Sequence, residues 1–288
     1  MIGTIAPLAV SPRSDIRLSV HGLELVVRSD VPAVISTVKA SYSAFEVVDP
    51  ERDSDCAATT IETWSATTSD ETAAILATLD RVVDTVMKGL GARDILGTHA
   101  AAVAIDDGRA VVLAGRSGAG KSTLTLALLR GGARLLTDEL TLVDRDDRTV
   151  LPYPRALHVS PATVDLLPEL SFLYARPRHA LGADLEWAVS TADLARAFGT
   201  TVAPATPLAA IVLLDERGDP SREPDLEPIS RAQAAMELAR GTPAAAHDLA
   251  GTIGRLGSIA AQVPAYRLRA TDLASTAALL RRELGAAA

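Results

Sequence analysis

Residues Gly115 to Thr123 read GRSGAGKST and fit the phosphate-binding pattern G-x-x-x-x-G-K-[ST] at every position. Glycines at 115, 118 and 120 permit turns closed to a residue with a Cβ, so the N–H groups along Gly115, Arg116, Ser117, Gly118, Ala119 and Gly120 can aim at phosphate oxygens. Lys121 then supplies a mobile cation for the β- and γ-phosphates, and the Ser122 hydroxyl can ligate Mg²⁺. Thr123 is expected to cap or pack the following helix, and Arg116 either touches phosphate or substrate or points to solvent. The flanks supply the context the pattern requires. Ala110 to Ala114 is a short apolar run of buried-strand type, and Ser122 to Arg130 is a helix stopped by Gly131-Gly132. The implied ligand is a nucleoside triphosphate with Mg²⁺; the loop alone serves ATP and GTP equally.

A triphosphate site needs carboxylates, and two acidic pairs each follow an apolar strand. Asp138-Glu139 comes directly after Ala133 to Thr137, a strand expected to run parallel to 110–114 and to end beside the loop. Asp215-Glu216 follows IVLL, as in transporter-type ATPases, but the preceding ARAFGTTVAPATPLAA lacks their serine-glycine signature, so that pair reads as a solvated turn. A histidine completes the set. Thr98 to Ile105 reads as one strand, turned by Asp107-Gly108 into the strand before the loop. If Asp106 faces Arg109, opposed residue numbers sum to 215, and His99 comes opposite Arg116. There it is either a site residue or a histidine that only packs and hydrogen-bonds.

Composition limits the alternatives. The chain has 288 residues, of which 48% are hydrophobic and only 3% aromatic, which points to a core of Leu, Val and Ala. A formal net charge of −8 without a basic stripe excludes binding to nucleic acid by phosphate neutralisation. The single cysteine, Cys56, allows no internal disulfide and no zinc cluster, which suits a reducing cytoplasm. MIGTIAPLAVSPRS has no basic leader, and no run approaches a bilayer span, so neither secretion nor membrane insertion is expected.

The elements that must hold these residues fall into two parts. Asp15 to Arg28 alternates around His21-Gly22 as two strands or one bent strand, a helix follows Pro32, and Thr60 to Trp64 can form a strand. Thr67 to Asp70 offers caps for a helix from Glu71 to Leu90 with one apolar stripe. A boundary near residue 94 divides a smaller α+β region, 1–94, suited to substrate or partner recognition, from a domain at 95–288. In the latter, the hairpin around Arg145 to Arg148 implies a mixed rather than purely parallel sheet. A short helix is expected at Ala162 to Leu167, a strand at Pro207 to Leu214, helices at Ser230 to Arg240 and Gly251 to Gln262, a strand at Ala265 to Arg269 and a last helix from Asp272. Leu170 to Thr206 has the fewest clear elements and several exposed-looking groups, Tyr174, Arg176, Arg178, His179 and Trp187 among them; it is a substrate lid or an ordinary surface excursion.

His99 in THAAAV, the hairpin into GRSGAGKST, the helix ending in RGGARLLTDEL and the following LTLVD resemble the catalytic core of the HPr kinase/phosphorylase family, especially its shorter kinase-related members. The resemblance covers about residues 95–160, with weaker echoes in LEPISRAQAAMELARG and VPAYRLRATDL, and none in the first 94 residues. It implies an α/β P-loop kinase core, a mixed sheet flanked by helices, and a phosphotransferase that uses ATP and Mg²⁺ on a hydroxyl, typically a serine of a protein or peptide. Carried over by position, Asp138 is the general base, Glu139 helps Ser122 hold the metal, and His99 sits beside them, with Lys121 on the transferred phosphate. Glu139 stands where the best-known members have a second aspartate, and the glycine-rich segment tied to dephosphorylation is not recognisable, so the expectation is kinase rather than phosphorylase activity. A small-molecule hydroxyl kinase and an ATP-hydrolysing switch protein are the alternatives. The acceptor is unnamed, and the oligomeric state is open, a homo-oligomer included.

Overall fold

Period-two alternation builds the first elements of the computed structural model, which describes residues 14–47, 58–64, 70–105, 108–180, 185–215, 219, 221–242 and 248–285. Strands β1 (Ser14–Val20) and β2 (Leu23–Ser29) form an antiparallel hairpin around His21-Gly22, and β3 (Thr59–Thr63) adds to β2 in parallel. Helix α1 (Pro32–Tyr42) starts on its proline, where the missing N–H costs nothing, and buries Val34, Val38 and Tyr42. Asp70 Oδ1 accepts the Thr72 N–H at 2.9 Å at the start of α2 (Glu71–Gly91), whose Leu79, Val82, Val86 and Leu90 are buried. The chain divides into two compact units, Met1–Val86 and Met87–Ala288. Cys56, Glu216, Asp106 and Asp107, and the offered caps at 67–69, lie outside the described residues.

The second unit is α/β, with a mixed sheet flanked by helices. Its elements are β4 (Ile95–Thr98), β5 (Ala101–Ala104), β6 (Ala110–Ala114), α3 (Lys121–Arg130), β7 (Arg134–Thr137), β8 (Thr141–Asp144), β9 (Thr149–Leu151), β10 (Leu157–Val159) and α4 (Pro161–Leu166). There follow a 3₁₀ segment (Pro168–Ala175), β11 (His179–Ala180), β12 (Leu185–Val189), α5 (Thr191–Phe198), β13 (Thr206–Leu214), β14 (Asp225–Pro228), α6 (Arg231–Arg240), α7 (Leu249–Ala260), β15 (Ala265–Arg269) and α8 (Leu273–Gly285). Among the described residues the main sheet runs β4-β8-β9-β13-β6-β5-β7, with β15 on β13 and β14 on β15. Strand β13 serves two neighbourhoods. Its start pairs antiparallel with β9, and its end lies between β6 and β15, both parallel to it. Alternate residues of the central strands face opposite helical layers: Val103, Val111, Leu113 and Val212 pack toward α3 and α8, while Ala102, Val112 and Ile211 pack toward α6 and α7.

Two jumps in this sheet position the site. Strands β4 and β8 are antiparallel neighbours in one part, β5 and β7 in the other, and the chain passes between the parts twice, at 99–100 and at 138–140. The two short connections run together: the Thr141 hydroxyl donates to the Ala100 carbonyl at 2.8 Å.

Three expectations are corrected. Thr98 to Ile105 is two strands rather than one, broken at His99-Ala100 because the backbone must change partners there. Opposed residues of β5 and β6 sum to 214, as in Ala102↔Val112, rather than 215. The cause is that Ile105, not Asp106, faces Arg109: the Ile105 N–H donates to the Arg109 carbonyl at 3.0 Å and its own carbonyl accepts the Gly108 N–H at 2.7 Å, with Gly108 at φ 77°. His99 therefore does not pair with Arg116. Trp187 is buried, not exposed: its indole N–H donates to the Arg176 carbonyl at 3.1 Å, and Arg176 in turn grips Asp193 through two bonds of 2.9 Å. The stretch 170–206 thus holds more order than its sequence suggests, including a capping box between Ser190 and Asp193 at the start of α5.

Candidate active site

The loop between β6 and α3 is shaped by two glycines. A Cβ on Gly115 would come 2.9 Å from the Leu214 carbonyl oxygen, so only glycine lets the loop pass this close to the end of β13. Gly120 takes φ 91° and caps α3 without a side-chain acceptor, which leaves the first-turn N–H groups of the helix open to an anion. Arg116, Ser117 and Gly118 are all exposed along the loop. Lys121 folds back over it, donating to the Gly115 and Arg116 carbonyls at 2.9 and 3.2 Å, and is only 7% exposed. Burial lowers its pKa, while Asp138 and Glu139 act to raise it.

The two carboxylates after β7 part company. Ser122 Oγ donates to Asp138 Oδ2 at 2.8 Å, and Asp138 Oδ1 is buried without a hydrogen-bond partner. Burial pushes the Asp138 carboxyl up to about 6, with Glu139 adding to the rise, against the lowering effects of the Ser122 hydroxyl, Lys121 and Arg155. Glu139 turns instead to Arg155, whose Nη1 lies 2.6 Å from Glu139 Oε2. Burial alone would raise the Glu139 pKa, but Arg155, His158 and His99 together hold it below the ordinary value. Thr123 Oγ1 meets Thr163 Oγ1 at 2.8 Å, which fastens α3 to α4.

His99 is brought to this cluster by the paired sheet jumps. The C-terminal end of α6 fixes the bend: Thr98 Oγ1 donates to the Leu238 carbonyl at 2.9 Å and the His99 N–H to the Gly241 carbonyl at 2.6 Å. Burial, followed by the charge of Lys121, lowers the His99 pKa, Glu139 opposes and Arg155 reinforces the shift, so the ring is neutral at pH 7. The residues expected from sequence are thus gathered in one place, with two distinctions. Ser122 reaches Asp138 rather than Glu139, and Thr123 bonds to α4 while Arg116 stays along the loop.

Two participants carried no usable sequence signal. Arg155 sits among prolines in LPYPRAL and is 5% exposed, and it donates to His158 Nε2 at 3.0 Å. Since an arginine cannot accept, His158 is neutral with its proton on Nδ1. Burial above all, and then the Arg155 charge, brings its pKa down to about 4. A run of prolines argues for irregular backbone, and irregular backbone says nothing of where an arginine points.

No protein-family model matches the chain, and no curated protein matches it. The solved structures give a remote likeness. The HPr(Ser) kinase/phosphatase from Coxiella burnetii aligns with 65% of this chain and 96% of its own at 16% identity and a TM-score of 0.30. Among the described residues no helix is long and apolar enough to cross a membrane, and no group of three or more His, Cys, Asp or Glu could hold a metal ion by itself.

Proposed function

We propose that this chain is a P-loop phosphotransferase that moves the γ-phosphate of ATP to a hydroxyl, foremost a serine of a peptide or protein. One observation carries the reading. The carboxylate after β7 has one oxygen bonded to the hydroxyl that opens the glycine-loop helix and the other buried with no partner. An acid placed so, with its pKa pushed up to about 6, suits proton transfer near neutral pH better than a structural role.

The residues fit Mg²⁺ bound with a nucleotide. Ser122 Oγ and Glu139, whose side chain keeps 36% exposure although Arg155 orients it, would hold it, which leaves Asp138 off the ion as the base. When bound, the ion would neutralise charge on the β- and γ-phosphates. Phosphoryl transfer otherwise asks the protein for position and counter-charge. The loop N–H groups and the first turn of α3 would hold the phosphates, and Lys121 would exchange the Gly115 and Arg116 carbonyls for phosphate oxygens. Asp138 Oδ1 would take the proton of the attacking hydroxyl. His99, neutral and fixed by α6, would accept or donate one hydrogen bond at the acceptor without adding a charge.

The test is product analysis with γ-labelled ATP and Mg²⁺ against serine peptides and small alcohols. Phosphate on a serine peptide is the expected result. Phosphate on an alcohol alone would shift the reading to a small-molecule kinase, and ADP with free phosphate alone would leave a hydrolysing switch.

A further inference from the structure

The glycine loop stands between two cavities that share Gly115, Arg116 and Ser117 of the loop and Glu237 and Arg240 of α6. One, about 1020 Å³, extends past Thr123 and Leu124 of α3 to Thr163, Arg269 and Thr271. The other, about 990 Å³, is lined by no residue of α3 and opens from His99 toward α6 and α7. A triphosphate on the loop has a nucleoside at one end and the reacting phosphate at the other. His99 feels the charges of Lys121 and Glu139, so the cavity it lines adjoins the reacting end, and the cavity along the flank of α3 is left for the nucleoside.

We infer, resting on the phosphotransferase reading, that the cavity beside His99 receives a serine peptide with a bulky apolar side chain next to the reacting serine. The walls supply the chemistry. Ala114, Ala239 and Ile253 lie within, and Met236 and Leu249 stand at 51% and 57% exposure, large apolar side chains left open to solvent at the mouth. The two charged residues that α6 contributes, Glu237 and Arg240, pair with each other and so demand no countercharge from a ligand. One side of the bound segment would meet the His99 bend, where the hydroxyl reacts, and the other this apolar wall.

Dye-labelled serine peptides in three sets, flanked by Leu and Phe, by Asp, or by Lys, test the assignment by fluorescence anisotropy with the full chain, ADP and Mg²⁺. The apolar set should bind about tenfold tighter than either charged set, the worth of one side chain leaving water. Met236→Glu and Leu249→Glu, both at half-exposed positions where the core is not emptied, should each remove most of that preference while ADP binds as before. Equal binding of the three sets, or a preference that survives both substitutions, would overturn the inference. The underlying reading fails separately: an apolar peptide that binds but gains no phosphate from ATP keeps the cavity assignment and removes the kinase, whereas phosphate transfer blind to the flanking residues does the reverse.

Discussion

Two strands of this chain end in an acidic residue beside the glycine loop, and the two ends differ in everything but sequence. Asp138 after β7 has a buried oxygen, bonds to Ser122 and is pushed up to about 6. Asp215 after β13 has a side chain 58% exposed and lies 3.8 Å from Arg267, itself 40% exposed. The neighbouring pair at β7, Arg155 with Glu139, closes to 2.6 Å with the arginine 6% exposed. The onward course of the chain from each strand accounts for the difference. After β7 the chain jumps directly to β8, next to the jump from β4 to β5, so Asp138 and Glu139 are enclosed by His99 and Arg155. The Asp215 N–H continues the ladder onto the Leu268 carbonyl at 3.1 Å, and its side chain stays in solvent. The same short motif gives a candidate site in one setting and leaves its aspartate in solvent in the other.

The largest expected effect is at Asp138. Asp138→Asn keeps shape and removes the base, so the transfer rate should fall about 10²- to 10⁴-fold while nucleotide affinity changes little. Full turnover in this variant would remove Asp138 from the mechanism. The pH profile sharpens the point. Burial, the main cause, raises the folded pKa from 3.8 to about 6, so protonation removes the base as pH falls through about 6. Wild-type turnover should drop about tenfold per unit below that, a limb the asparagine variant lacks. The same shift lowers stability: with the folded value above the unfolded one, this group's contribution is greatest below pH 3.8 and is lost as pH rises to 6.

Next comes the cation that sets the β7 end apart. Arg155→Met should cost about 2 kcal/mol in urea unfolding, less than the roughly 3–5 typical of a fully buried pair because Glu139 is partly exposed. It should also reshape the acid side of the stability profile. His158 has a folded pKa of about 4 against 6.5, so its contribution is present above pH 6.5 and is lost as pH falls toward 4. Without Arg155 the folded value rises, and the loss between pH 6.5 and 4 becomes smaller. An unchanged profile would assign the whole shift to burial.

The loop, its strand and its helix were legible because glycine spacing and apolar runs are local signals, as were the capping box from Ser230 to Gln233 in α6 and the stripe of α2. The direction of β7 also followed from the helix before it: antiparallel to β5, which is antiparallel to β6, it runs parallel to the strand entering the loop. The position of His99 did not follow. Hairpin arithmetic carried it along one strand, whereas the chain changes sheet partners at 99–100 and is held there by the carbonyls of Leu238 and Gly241, the first of them 140 residues from Thr98 along the chain. Arg155 was hidden for the same reason, since an ion pair between residues on different connections leaves no periodicity.

The smallest effect is expected at the other strand end, and it bears most directly on the choice between the acidic ends. An exposed pair at 3.8 Å contributes about 0–1 kcal/mol, so Asp215→Asn should leave stability nearly unchanged. Asp215 and Arg267 do line the cavity assigned to the nucleoside, so a modest rise in the ATP concentration for half-maximal rate, about twofold, is consistent with a wall position. The maximal rate is the deciding measurement. If it stays within about twofold of wild type, Asp138 remains the acid that performs the chemistry. If it falls as far as in Asp138→Asn, β13 rather than β7 carries the base, and the burial of Asp138 needs another explanation.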